Sequence, residues 1–502
     1  MSIDLRPYQS SLVDNTRLSL AGGNRRVVLY LPTGAGKTRT AAAIICMALA
    51  KGRKVVFVAN RKQLILQTSG VLHGLGIEHG ILQADNTRNL DARVLVASID
   101  TVHLRGLPDD IGLIIIDECH SVAGSLKLKQ IMFSRNLVPV IGLTATPFAA
   151  GMAKPYKELG GALFEDLVIG ATVADLIADG HLVDCDIYAP SEPDLKGVRS
   201  SKAIDGETDF RQSDLARAVD KPSLIGDIRD HWFRLARGKQ TVVFATDIPH
   251  SRHIVETFQA AGVAAEHIDY RMDDEERAAI LKSFASGATT VLSNCALLSE
   301  GWDCPTAEVM LLARPTRSLI RYIQMVGRVL RPAPGKERAL LLDHSGSTAR
   351  LGHPCDDLPL ALDDGKPRTS GSKSTERRES LPTKCAKCSL MKPAKIHKCP
   401  ACGFAPERQN KVETIDGTLV KQSRKKPATK AVKQHVYSQL LFLQQKRSYR
   451  RGWAANQYRT MFDVWPKGLA EVAATPTQEV INKVQANAIA FAKRKEAGHA
   501  AA

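Results

Sequence analysis

A short apolar run, RVVLYL (26–31), leads straight into PTGAGKT (32–38), and an alanine-rich run, TRTAAAIICMALA (38–50), follows without a break. This order of strand, glycine turn and helix constrains the chain more than any other feature. β-Branched and apolar residues bounded by Gly22, Gly23 and Asn24 before and Pro32 after predict a buried strand. Gly34 and Gly36 allow successive backbone N–H groups to turn inward around an anion, with Thr33 and Ala35 completing the loop. Lys37 is placed to reach β- and γ-phosphates, and the Thr38 hydroxyl to hold Mg²⁺. A helix beginning there adds the positive end of its dipole. A plain glycine turn explains Gly-Ala-Gly but not Lys-Thr in that place, so the expectation is a site for ATP and Mg²⁺. The eight-residue P-loop pattern begins with glycine, and Leu31 stands there instead.

GLIIIDECH (112–120) supplies a second half of such a site. Its apolar residues end in two carboxylates, as expected of a central parallel strand presenting side chains at its C-terminal edge. Asp117 is expected to hold Mg²⁺ and Glu118 to accept the proton of an attacking water. A third element lies about three hundred residues away, in QMVGRVLR (324–331), which carries Gln324, Arg328 and Arg331. A γ-phosphoryl transition state spreads charge over its equatorial oxygens, and one arginine there is worth on the order of 10³-fold in rate. If Arg328 and Arg331 come from a separate domain, they engage only when a cleft closes, which ties chemistry to a hinge.

These and further motifs, in order, resemble those of superfamily II helicases across residues 1–350. LRPYQ (5–9) resembles the adenine-reading segment, which implies a nucleotide contact for Gln9, with Arg6 nearby. VVFVANRKQLILQ (55–67) and VASIDTVH (96–103) resemble segments that touch nucleic-acid backbone. LTATP (143–147) resembles the motif that couples hydrolysis to strand movement. VLSNCALLSEGWDCP (291–305) resembles the motif in which Gly301 and Asp303 meet nucleotide and strand. By the same resemblance Gln324, Arg328 and Arg331 approach the γ-phosphate. DECH in place of DEAD, with the Arg-Pro-Tyr-Gln start, separates the chain from the DEAD-box RNA helicases. It resembles RadD-type DNA-repair helicases and their bacterial and phage relatives. The implied strand path crosses both domains near 60–63, 98–101 and 298–303.

Length points the same way, since 502 residues exceed one ordinary core. Strands expected at 27–31, 54–59, 93–97, 112–116 and 139–143 alternate with helices in a first domain, about 1–155. A second, about 165–350, repeats the pattern with 241–246, 289–294, 308–313 and 339–344. The fold class is therefore α/β, with two tandem RecA-like parallel-sheet domains. Residues 185–220 read as polar and unperiodic, and 351–380 as a linker rich in glycine, serine, proline and mixed charge.

Charge divides the chain sharply. Residues 381–502 hold 23 Lys and Arg against 7 Asp and Glu, leaving 46 against 45 in the remainder. Such a basic end on a near-neutral body is the footprint of a module that grips phosphate backbone. Lysine-rich tails are as often merely solvated, and SRKKPATK (423–430) reads equally well that way.

Four of the ten cysteines form CAKC (385–388) and CPAC (399–402), the pattern of a Zn²⁺ ribbon over 381–406. Cys385, Cys388, Cys399 and Cys402 complete a tetrahedral shell, and a closed four-thiolate site is structural. His397 is a conceivable substitute ligand, and Lys384, Lys387, Lys392, Lys395 and Lys398 are positioned to face a polyanion. Cys46, Cys119, Cys185, Cys295, Cys304 and Cys355 read as ordinary thiols.

Residues 407–502 are expected to form a basic, mainly helical module. Tyr449, Trp453, Tyr458 and Trp465 interleave there with Arg450, Arg451 and Arg459. Most of the aromatics are expected to form its core and the arginines to contact phosphate. Thr475 and Pro476 are expected to open a last helix. No segment suggests a membrane span or a targeting core. The expectation is a cytoplasmic, nucleoid-associated protein of a bacterial or phage-infected cell.

The resulting reading is an ATP-dependent DNA helicase or duplex translocase. It is expected to bind mainly phosphate and sugar, in repair, recombination or phage replication, with replication or repair proteins as its expected partners. Alternatives are an RNA-directed member of the superfamily, a restriction-type motor subunit and a non-enzymatic binder. The restriction-type motor needs a metal-carboxylate cleavage site, for which acidic residues after 350 are few. Intact Lys37, Asp117, Glu118, Arg328 and Arg331 speak against the last.

Overall fold

Short apolar strands alternating with helices build two parallel sheets within one unit, Met1–Arg408, and Gln409–Ala502 forms a second unit. The computed structural model describes residues 3–84, 86–202, 208–295, 297–298, 302, 304–356, 358–365, 381–394, 396–406, 430–462, 464–466 and 468–487.

The first lobe runs α1 (Pro7–Ala21), β1 (Arg26–Tyr30), α2 (Lys37–Ala50), β2 (Lys54–Ala59), α3 (Lys62–Gly74) and β3 (Gly80–Leu82). It continues through β4 (Val94–Ser98), α4 (Ile99–Arg105), β5 (Ile111–Ile116), α5 (Leu126–Ser134) and β6 (Val140–Thr144). A small hairpin, β7 (Pro155–Tyr156) and β8 (Gly161–Ala162), precedes β9 (Asp166–Ile169), which pairs with β1. The strand order is β3-β4-β2-β5-β6-β1-β9, all parallel. Central strands β1 and β6 are buried along their whole length, as sheets covered on both faces require. The first lobe thus extends beyond 155. Strand β9 eluded the sequence reading because it lies on the sheet edge, with Ile169 exposed, and lacks a continuous apolar run.

The second lobe opens with α6 (Val173–Ala178), β10 (Cys185–Tyr188), the antiparallel pair β11 (Ser200–Lys202) and β12 (Thr208–Phe210), α7 (Gln212–Val219) and α8 (Pro222–Leu235). There follow β13 (Thr241–Phe244), α9 (Ile248–Ala260), β14 (Ala265–Ile268), α10 (Asp274–Ala285), β15 (Val291–Asn294), β16 (Val309–Leu312), α11 (Leu319–Val326), β17 (Ala339–Asp343) and α12 (Ser347–Leu351). Its sheet has the order β10-β17-β16-β13-β15-β14, again parallel throughout. The polar stretch 185–220 is therefore ordered where described. Its buried Asp209 accepts from Thr316 Oγ1 at 3.0 Å, the Arg317 N–H at 2.8 Å and Arg321 Nη1 at 2.5 Å. That carboxylate fixes the turn into α11.

Of the expected linker, the described residues up to 365 form a strap over the first lobe. Leu358 and Leu362 join its core clusters, and the Gly151 N–H donates to Asp363 Oδ1 at 2.9 Å. The ribbon pairs β18 (Thr383–Lys384) with β19 (Met391–Lys392) and docks on β10 through a bridge between Tyr188 and Leu390.

In the second unit, α13 (Lys430–Lys446) and α14 (Trp453–Phe462) meet at Gly452 (φ +93°). Tyr437, Leu440, Tyr458, Val480 and Val484 form the core of this unit. Tyr458 is buried, as expected of a core aromatic, whereas Trp465 is exposed beneath Arg459, whose guanidinium carbon lies 4.8 Å from the ring centre. The last helix begins at Gln478, later than expected. Thr477, not Thr475, sits at its start, because Gln439 Oε1 takes the Thr477 N–H at 2.7 Å. SRKKPATK lies almost wholly outside the described residues. No described helix is long and apolar enough to cross a membrane.

Candidate nucleotide site between the two lobes

The carboxyl ends of parallel strands are where open α/β sheets present ligand-binding loops. Here β1 delivers the glycine loop, β5 delivers Asp117 and Glu118, and β6 delivers Thr144. Gly34 (φ +88°) and Gly36 (φ +82°) adopt the left-handed conformation that the sequence predicts. Leu31, in place of the usual glycine, extends β1, donating its N–H to the Thr144 carbonyl at 3.1 Å while its side chain is buried.

Lys37 Nζ lies 3.8 Å from Glu118 Oε1. On the other side, His120 Nδ1 approaches Glu118 Oε2 at 3.3 Å, though Oε2 has no aligned hydrogen bond among the described residues. Glu118 is fully enclosed, and burial by itself would raise its pKa. Lys37, the adjacent His120 ring and Arg328 outweigh that and hold the carboxyl down at about 2. Its backbone is left-handed (φ +47°), a conformation costly for a non-glycine residue and typical of functional sites. His120 Nδ1 in turn lies 3.2 Å from Thr144 Oγ1, which accepts the Thr146 N–H at 3.0 Å. LTATP is thus wired to DECH through His120, to which the sequence reading gave no role.

The second lobe reaches this loop directly. Arg331 Cγ lies 3.3 Å from where a Cβ on Gly34 would stand, and a Cβ on Gly327 would meet Thr33 Cβ at 2.6 Å. Arg328 and Arg331 both donate to the Trp302 carbonyl, at 2.9 and 3.3 Å. Arg6, Lys37, Thr38, Asp117, Glu118, Arg328 and Arg331 line one cleft of about 580 Å³.

Other expected residues stand differently. Gln9 is buried behind the loop, donating to the Ala35 carbonyl at 3.1 Å, while Tyr8 Oη donates to the same oxygen at 2.9 Å. Gln324 is buried on α11 beside the arginines, with no acceptor for its Nε2 among the described residues, and is absent from the cleft wall. Gly301 and Asp303 lie outside the described residues. His181, which lines the cleft with its ring centre 5.7 Å from that of Tyr8 at a tilt of 54°, had no signal in its sequence context.

Cys385, Cys388, Cys399 and Cys402 converge, with all four sulfurs within 4.8 Å of one another. The pairs Cys385–Cys402 and Cys388–Cys399 stand 3.7 and 3.6 Å apart. A tetrahedron with Zn–S bonds of about 2.3 Å has edges near 3.8 Å, so the cluster fits that ion. His397 is not part of it, and Lys392 is buried, donating to the His397 carbonyl at 3.0 Å instead of facing outward.

Residues 2–149 match the family "Type III restriction enzyme, res subunit" and residues 222–333 match the "Helicase conserved C-terminal domain". The chain belongs to the superfamily II helicases. Members of this superfamily use ATP to act on nucleic acid, and this chain carries both motor domains. A 51.5 kDa protein of a Lactococcus phage (isolate 7-9) is 27% identical over 403 residues, covering 78% of this chain and 81% of that one. The putative ATP-dependent helicase IRC3 of Saccharomyces cerevisiae is 28% identical over 371 residues, 69% of this chain. The alignment spans 52% of that yeast protein. A fragment of a putative HsdR subunit of a type I restriction enzyme from Vibrio vulnificus YJ016 shares the fold, at 20% identity and a TM-score of 0.52, over 72% of this chain and 67% of that chain.

Proposed function

We propose that this superfamily II helicase is a DNA-directed ATPase that translocates along duplex or single-stranded DNA and separates strands. The observation that carries this reading is Arg331 of one lobe lying against Gly34 of the other, beside Lys37 and Glu118.

The donor set fits Mg-ATP. Two left-handed glycines shape an anion cradle, Lys37 and two arginines bring positive charge, and Thr38 and Asp117 offer oxygen ligands for Mg²⁺. When bound, Mg-ATP supplies the electrophilic γ-phosphorus and the metal that offsets the leaving charge. Lys37 would exchange Glu118 for phosphate oxygen, leaving the carboxylate free to orient and deprotonate water. Arg328 and Arg331, already gathered on the Trp302 carbonyl, would turn toward the transition-state charge. Their withdrawal after hydrolysis would loosen the lobes, and segments near 60–63, 98–101 and 298–303 would carry the strand.

In this reading the four-cysteine ribbon holds a structural zinc, and Arg450 and Arg451, exposed beside the Tyr449–Trp453 ring pair, contact phosphate without sequence preference. The setting is a bacterial or phage-infected cell, close to the nucleoid. ATP turnover should rise on adding DNA, with displacement on at least one of forked, 3′-tailed or 5′-tailed duplexes. Stimulation by RNA alone would overturn the DNA assignment.

A second reading, a restriction-type motor subunit, is favoured by the res-subunit match over 2–149. Among the described residues, the only groups with metal-holding geometry are built on thiols, with no carboxylate cluster suited to DNA cleavage. Metal-dependent cutting of plasmid DNA by the purified chain would support this second reading.

A further inference from the structure

Two of the cysteines that read as ordinary thiols meet in space. Cys185, on edge strand β10, places its sulfur 3.8 Å from that of Cys355, and His353 Nε2 lies 4.0 Å from Cys185 Sγ. The three candidate donor atoms all fall within 4.8 Å of one another, as do those of the ribbon. His353 and Cys355 belong to the strap after α12, and their His-Pro-Cys spacing turns ring and thiol toward the same strand. A tetrahedral ion with M–S of about 2.3 Å and M–N of about 2.0 Å needs S···S near 3.8 Å and S···N near 3.5 Å. The sulfur pair already has this spacing, and the ring has to move in by about half an ångström.

The geometry points to a second metal site, in which Cys185, Cys355 and His353 bind a zinc-class cation as two thiolates and one imidazole. Soft sulfur with imidazole nitrogen selects such ions over Mg²⁺ or Ca²⁺. The three residues line a cleft of about 1020 Å³, whose wall also includes Asp184, Asp356 and Arg338, so water from that cleft completes the shell. One contact must give way. The Cys355 N–H donates to His353 Nδ1 at 3.3 Å, a long bond, and a ring ligating through Nε2 carries its proton on Nδ1. Loading therefore releases the protons of both thiols and shifts that of the ring.

Such an ion would pin the strap to the second lobe before its Asp363 reaches Gly151 on the first. This inference does not depend on the motor reading.

The test uses the full chain, purified with a mild reductant and no chelator, with zinc measured by plasma mass spectrometry. Two zinc ions per chain are expected. Cys355→Ser and Cys399→Ser should each lose one, and the double variant both. Because Cys185 is buried in a strand and its serine variant can fail to fold, His353→Ala on the strap serves as the third probe. In the Cys399→Ser background, cobalt exchange should give a sulfur-to-cobalt charge-transfer band that His353→Ala shifts or abolishes. A single zinc that Cys399→Ser removes and Cys355→Ser retains would overturn the proposal. So would a Cys185–Cys355 disulfide in the protein as purified.

Discussion

Gly327 of the second lobe sits so close to Thr33 of the glycine loop that a Cβ on it would stand 2.6 Å from the Thr33 Cβ. Backbone and a short side chain meet there, with no flexible atom to yield. Gly327→Ala should therefore act as a wedge between the lobes. ATP turnover is expected to fall by about 100-fold, as for a misplacement near 1 Å, with the circular dichroism spectrum unchanged. Wild-type turnover would show that the lobes do not meet here during the cycle.

Glu118 is the residue best placed to act as base. Glu118→Gln keeps the shape and removes the proton acceptor, so turnover should drop by roughly 10²–10⁴-fold while a fluorescent ATP analogue still binds. Equal rates in variant and wild type would remove Glu118 from that role.

Burial pushes the His250 imidazole down to about 4 and that of His344 to about 3, from an ordinary 6.5. Both rings are neutral inside the second lobe, so the unfolded chain takes up protons first as pH falls. Their contribution to stability is complete above 6.5 and drains away between 6.5 and those lower values. One ring sets a slope of at most about 1.4 kcal/mol per pH unit. Urea denaturation of His250→Gln between pH 6.5 and 4 should show a flatter dependence than wild type.

Lys62 Nζ and Asp274 Oδ2 bridge the lobes at 2.9 Å with both side chains more than half exposed. Solvent and salt screen an exposed pair of this kind, so Asp274→Asn should barely move Tm. Lys62 belongs to a segment expected to hold the strand, where phosphate competes with Asp274. Lys62→Ala should reduce the slope of log K against log salt by about 0.7–0.9, read by fluorescence anisotropy of labelled DNA. An unchanged slope would place Lys62 away from the strand.

Most of the cleft between the lobes was legible because each group belongs to a contiguous run. Strand, loop and first helical turn fix Lys37 and Thr38 together, and the apolar GLIII stretch announces the carboxylates after it. What escaped has no local pattern. Asp209 organises the turn into α11 from a hairpin more than one hundred residues earlier, and His120 links two motifs only because β5 and β6 are neighbours. Gln9 was legible as a residue but not as a brace for the Ala35 carbonyl. The nearness of Cys185 and Cys355 depends on β10 joining the outer edge of the second sheet beside β17, a pairing that no periodicity encodes.

The strap fixes how far this machine can stride. Between Cys355, beside β10, and Asp363, held by the Gly151 amide, the polypeptide can stretch to a span on the order of 28 Å at most. Any gape of the lobes beyond that leash has to break the Gly151–Asp363 hydrogen bond or part Cys355 from Cys185, so those two contacts and eight residues of chain together bound the opening.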